Sequence, residues 1–172
     1  MGAYHRSLLG MHTCLAMYKY AIIMCNNLKS RVKRSLENNV SIETKQVVKQ
    51  HGDKQKFAFN TYGTWQKRHA EFIRYEEQIE DASVNVTVKI EQSGIKIIRK
   101  GDINMNLHFV EGEDTITLYE IGGGRIPLTV HTHRVNHFLN DNGGKLKIHY
   151  DLIQDEEKMG TYQYEITYKE TL

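Results

Sequence analysis

At 172 residues the chain is long enough for one domain with a sizeable core and needs no disulfide staples to hold it. Two cysteines, Cys14 and Cys25, both ahead of the strand region, exclude a disulfide framework and suit a reducing cytoplasm, and a single proline, Pro127, excludes Pro-rich linkers. The formal charge of +2 is divided: residues 1–38 carry three Lys and three Arg against Glu37, a net +5, which leaves −3 for the remainder and argues against a broad basic face for nucleic acid.

Residues 1–38 read as an extension, helical or disordered, ahead of a barrel domain over residues 39–172. Leu8 to Met24 is apolar and rich in Met and Tyr, but His12 and Lys19 interrupt it and no small-residue cleavage site follows, so it is a poor signal peptide. It also falls short of the roughly 20 uninterrupted apolar residues of a membrane helix. Leu, Ala, Met and Lys favour a short helix between Leu8 and Leu36. Three readings stay open: an accessory helix that packs on the barrel, a membrane-surface helix using Leu15, Ile22 and Ile23, and a reading frame extended upstream of a start near Met24. The run Lys29–Arg34 is a solvated lead-in or a contact for RNA or an anionic membrane.

From Val40 onward the chain alternates apolar and polar residues, the period of a strand with one buried face. Val40, Ile42 and Thr44 open the first strand, and His51-Gly52-Asp53-Lys54 reads as a turn. Phe57, Phe59, Thr61, Gly63 and Trp65 share one side of the second, and Ile73 and Tyr75 belong to the third. Asp81-Ala82-Ser83 is the next turn signal, before Val84, Val86, Val88 and Ile90, and Ser93-Gly94 a tight hairpin before Ile95, Ile97 and Ile98. After Gly101-Asp102 comes the cleanest alternation, with Ile103, Met105, Leu107 and Phe109 on one side and Asn104, Asn106 and His108 on the other. Glu111-Gly112-Glu113-Asp114 precedes Ile116–Ile121, Gly122-Gly123-Gly124 precedes the long strand Leu128–Leu139, and Asp141-Asn142-Gly143-Gly144 is a further hairpin signal. Leu146, Ile148, Tyr150 and Leu152, then Tyr162, Tyr164, Ile166 and Tyr168, line one face of the last two strands.

Short connections between consecutive strands imply an antiparallel meander. That many strands exceed what an open twisted sheet sustains, so the predicted fold is all-β: a closed up-and-down barrel of about 8–10 strands, without exposed edges. Such a barrel is wide enough to hold one small ligand.

Within this pattern stand Ile98-Arg99-Lys100-Gly101, Met105 and Phe109, Glu111-Gly112, Tyr119, Gly124, Pro127-Leu128, Val130, Thr132, and Gly143-Gly144-Lys145 leading to Tyr150-Asp151-Leu152. In order and spacing this set resembles the YwiB-like family of uncharacterised bacterial proteins, over residues 40–172. The resemblance implies a calycin-like barrel related to lipocalins and fatty-acid-binding proteins, and it brings no substrate, cofactor or catalytic residue. Ile121-Gly122-Gly123-Gly124 departs from the aromatic-Gly or Pro-Gly turn expected there.

Candidate chemistry is sparse. His131 and His133 share one face of a strand, which suits a zinc pair, but Leu128, Val130 and Thr132 form the inward set and place both outside, with no further ligand at the right spacing. A bulge near Arg134 would turn Val135 and His137 inward, so His137 is the histidine suited to a pocket. Gly122-Gly123-Gly124-Arg125 lacks the Lys-Ser/Thr and the following helix of a phosphate loop. Arg99 shares its side with Ile95 and Ile97; if that side is inward, the guanidinium needs an internal carboxylate or an acidic ligand. Otherwise it forms a rim salt bridge or leans into water. No nucleophile–base or paired-carboxylate arrangement can be read.

The leading expectation is therefore a cytoplasmic, non-catalytic barrel that binds a small, partly apolar or amphipathic ligand. Its walls would be Met105, Leu107, Phe109, Tyr119, Val130 and Thr132, with Arg99 and His137 as polar partners. No cofactor, metal, nucleic acid or stable membrane insertion is expected. One alternative is a barrel filled by its own aromatics that serves as a scaffold for a protein partner. Another is a haem- or metal-dependent barrel that uses the histidines.

Overall fold

Ten strands follow one another in the computed structural model, which describes residues 39–79 and 82–171. They are β1 (Val40–Gln50), β2 (Asp53–Lys67), β3 (Glu71–Ile79), β4 (Ala82–Glu91), β5 (Gly94–Gly101), β6 (Ile103–Phe109), β7 (Asp114–Ile121), β8 (Gly124–Asn140), β9 (Gly143–Gln154) and β10 (Glu157–Glu170). Each pairs antiparallel with its neighbours in sequence, and β10 returns to β1, from Val40↔Glu170 to Lys49↔Thr161, to close the barrel. The closed antiparallel meander is the architecture expected from the alternation. The extension over residues 1–38 lies outside the described residues.

The turn chemistry explains the connections at one end of the barrel. His51-Gly52, Gly122-Gly123 and Asp155-Glu156 each place two successive residues at positive φ. This is the two-residue hairpin turn whose twist matches that of its strands. Of the Asp81-Ala82-Ser83 turn signal, Asp81 lies outside the described residues, while Ala82 and Ser83 belong to β4, and Asp114 opens β7.

Alternation then fixes the core. Inward side chains from all ten strands are buried, among them Ile42, Ile73, Val86, Ile97, Met105, Tyr119, Val130, Ile148 and Ile166. On β7 the inward positions are Thr117 and Tyr119, which leaves Ile116 79% and Leu118 49% exposed. Aromatic rings reach across the interior: Phe109 lies 4.8 Å from Tyr150, Tyr150 stacks on Tyr162 at 5.2 Å, and the Tyr75 and Tyr164 hydroxyls meet at 2.8 Å.

Three irregularities position the candidate sites. The β2–β3 ladder pairs only Gly63–Lys67 with Glu71–Tyr75. The β6–β7 ladder pairs only Ile103–Met105 with Tyr119–Ile121. Between β8 and β9 the register shifts from Thr132↔Tyr150 to Arg134↔His149, which makes His133 the extra residue of a bulge. Gly63 stands where the first of these interruptions begins. A Cβ there would lie 2.2 Å from the Arg74 carbonyl oxygen and 2.7 Å from Ile42 Cδ1, so only glycine admits the approach of β3.

Candidate functional site

The wall residues expected from sequence occupy one arc of the barrel. Met105, Leu107 and Phe109 on β6, Tyr119 on β7, and Val130 and Thr132 on β8 are all buried and inward. Cross-strand pairing sets Arg99 beside Met105 and Met105 beside Tyr119. The broken β6–β7 ladder falls inside this arc. Past Met105 and Tyr119, Leu107 and Phe109 face Thr117 and Thr115 without strand pairing, and the Thr115 hydroxyl donates to the His108 carbonyl across the interruption. Thr117, which the sequence did not single out, is buried there, and neither its hydroxyl nor that of Thr132 has a hydrogen-bond partner among the described residues. Burial pushes the Tyr119 phenol up to about 12, so it stays neutral.

Arg99 is inward, on the side of Ile95 and Ile97, rather than at the rim or in water, and the internal carboxylate that this orientation requires is Glu77 of β3. The two are 6% and 1% exposed, with Arg99 Nε 3.5 Å from Glu77 Oε2. Glu77 Oε1 accepts no hydrogen bond from the described residues. Around the pair stand buried phenols. Burial raises Tyr75 well above the usual phenol range and raises Tyr164 as well. Tyr150 is pushed up to about 12, chiefly by burial and against the lowering effects of Arg99 and of a hydrogen bond to Gln46. The Arg99–Glu77 pair is thus charge-balanced and set among neutral phenols.

His137 turns inward after the bulge, as anticipated, but it joins a different group. Tyr168 donates its proton to Glu71 Oε2 at 3.2 Å, and Trp65 Nε1 donates to the same oxygen at 3.2 Å. The Tyr168 oxygen is then an acceptor for His137 Nε2 at 3.0 Å, which assigns the imidazole proton to Nε2. Burial, and then the Glu71 carboxylate, raise the Tyr168 phenol above its usual range. Gly144 makes room for this chain, since a Cβ there would lie 2.4 Å from the Tyr168 hydroxyl. Glu71 opens β3 and Tyr168 closes β10, so the cluster sits at the barrel end opposite the His51-Gly52 turn, apart from Arg99.

His131 and His133, the pair considered for zinc, face outward. His131 pairs with Asp114 and His133 with Asp151, the latter at 3.0 Å. Among the described residues no three His, Cys, Asp or Glu side chains converge as metal ligands. Gly122-Gly123 is a strand-to-strand turn, and Arg125 beside it is held by Glu120 at 2.7 Å.

Residues 40–166, which take in all ten strands but the end of the last, match the family model described as "Domain of unknown function (DUF1934)". The chain belongs to the DUF1934 family. The "Uncharacterized beta-barrel protein YwiB" of Bacillus subtilis (strain 168) is similar to this DUF1934 chain: 26% identical over 134 residues, 77% of this chain and 94% of that one. The crystal structure of the B. subtilis ywiB protein superimposes with a TM-score of 0.71 at 24% identity, over 78% of this chain and 93% of that one, which shows the shared fold. The DUF1934 family is thus the one that the Ile98–Leu152 motif set pointed to.

Sequence reasoning missed Glu77, Glu71, Trp65, Tyr168 and Thr117 as site residues. Only Tyr168 and Trp65 carried a signal, as aromatics on an inward parity. Glu77 lies in the polar run Glu76-Glu77-Gln78, which shows no alternation.

Proposed function

We propose that this protein binds a small, partly apolar molecule inside its barrel and performs no chemistry on it, as a cytoplasmic binding protein. The observation that carries the reading is the interrupted β6–β7 ladder, flanked by Leu107 and Phe109 and by the buried, unpartnered hydroxyl of Thr117. A buried polar group without a partner costs about 1–3 kcal/mol, and a bound molecule with a hydroxyl or carbonyl group relieves that cost. Because Glu77 balances Arg99, a neutral ligand suits the interior better than an anionic one.

The test is to purify the protein without detergent, denature it, and analyse the extract by liquid chromatography and mass spectrometry. A partly apolar compound present in near-stoichiometric amount, and reduced in a Thr117→Val/Thr132→Val variant, is the expected outcome. An extract indistinguishable from that of an unrelated protein purified in the same way would overturn the reading. The same outcome would favour the filled scaffold, which the Phe109–Tyr150–Tyr162 contacts support.

A further inference from the structure

A concave surface lies on the outside of the barrel, over β1, β10, β9 and β8, with a volume of about 540 Å³. Three cationic side chains line it, Lys45, Arg134 and Lys147, together with the imidazoles of His133 and His149 and one carboxylate, Glu165. The bulge creates this arrangement: with His133 as the extra residue, His133 and Arg134 point outward in succession, where regular alternation would send one of them inside. Glu165 is shared by Lys145 at 2.7 Å and Lys147 at 3.2 Å, and Lys45 is held by Glu43 at 2.9 Å. The Arg134 side chain is exposed and has no ion pair or hydrogen bond with any described residue.

We infer that this outer groove is a binding site for a phosphate-type oxyanion carried by a small molecule. A tetrahedral oxyanion takes several donors at once. The forked guanidinium of Arg134, the Lys147 ammonium and the His149 imidazole offer them around one hollow, while His133 Nε2 is held by Asp151 at 3.0 Å. The volume falls in the range of small-molecule sites. Burial, and then His133, lower the proton affinity of His149; Asp151 opposes them, and Lys49 and Lys158 add smaller lowering effects. An anion in the groove reverses that balance. This site is separate from the barrel interior and stands or falls without it.

The experiment follows the histidine ring resonances of the full chain by NMR as inorganic phosphate, then pyrophosphate, is added at neutral pH and constant ionic strength. Saturable shifts of His133 and His149 are expected, with pyrophosphate binding the more tightly and His149 titrating at higher pH when phosphate is present. Arg134→Gln/Lys147→Gln should weaken binding about tenfold or more with an unchanged melting temperature. Three results overturn the inference: no saturable shift at millimolar phosphate, equal shifts from chloride at the same ionic strength, or undiminished binding by the double variant.

Discussion

Arg99 and Glu77 meet inside the barrel, 3.5 Å apart and shielded from water. Removing one member of such a pair strands the other as a buried charge, whereas replacing both by apolar residues is often neutral or stabilising. Glu77→Ala is therefore expected to cost about 3–5 kcal/mol in urea unfolding, and Glu77→Leu/Arg99→Met to recover most of that loss. A double variant as unstable as the single one would show that the pair acts otherwise than through charge. Asp151 gives a prediction in pH. Burial pushes its carboxyl up, but hydrogen bonds from Lys158, Thr161 and His133 outweigh burial and hold it below the usual carboxylate range. A folded-state pKa depressed below the unfolded value means that the stabilisation is present above the unfolded pKa and is lost as pH falls through the folded one. Asp151→Asn should thus cost about 1 kcal/mol at neutral pH, and the difference from wild type should vanish in acid, as pH-dependent thermal melts can show. At this scale Arg99 was half legible: the parity it shares with two isoleucines allowed an inward side chain with an internal carboxylate, but left the rim and solvent open. Glu77 was not: it shares the parity of Ile73 and Tyr75, but an acid within Glu76-Glu77-Gln78 carries no mark that sets it apart from a solvated side chain, and only the pairing with Val84 of β4 fixes its face.

Among the elements, β8 determines most. Its bulge separates an inward set, Leu128, Val130 and Thr132, from His137, and it puts His133 and Arg134 on the outside together. Shifting a strand by one residue moves every later side chain to the other face. Deleting Asn136, beyond the bulge, should therefore abolish cooperative unfolding or lower the melting temperature severely, while deleting His133, the extra residue, leaves Arg134↔His149 and the later pairs in register and should cost far less. Equal effects of the two changes would contradict the bulge. The β6–β7 interruption makes its own prediction for hydrogen exchange. Amides in residues 106–109 and 114–118 should exchange faster than those of Tyr162–Tyr168, which pair with a neighbour on both sides. Strand existence was readable almost everywhere from period two, and the bulge was anticipated near Arg134 from the change of parity. The Asp155-Glu156 turn escaped notice, because neither residue advertises the positive φ that it adopts, as the glycines do at Gly52 and Gly122. Interrupted ladders are likewise silent in sequence: they depend on how neighbouring strands diverge, while each strand still alternates.

For the whole molecule, closure of β10 onto β1 removes the exposed edges and encloses an interior whose volume decides between a binding protein and a scaffold. The aromatic contacts from Phe109 through Tyr150 to Tyr162 occupy part of it, while the arc from Met105 to Thr132 borders an interrupted ladder with unpartnered hydroxyls. Sequence could name the inward residues but not how far their side chains reach across, which depends on strand tilt and on which rings meet. The most direct measurement is native mass spectrometry of the intact chain, paired with unfolding of a Thr117→Phe variant. A hollow arc predicts a small bound mass on the wild type, its loss in Thr117→Phe, and stability of the apo form within about 1 kcal/mol, since the new ring enters open space. A wild type with no bound mass, and a variant destabilised by about 1–3 kcal/mol through overpacking, would show that the barrel is filled and contradict the account.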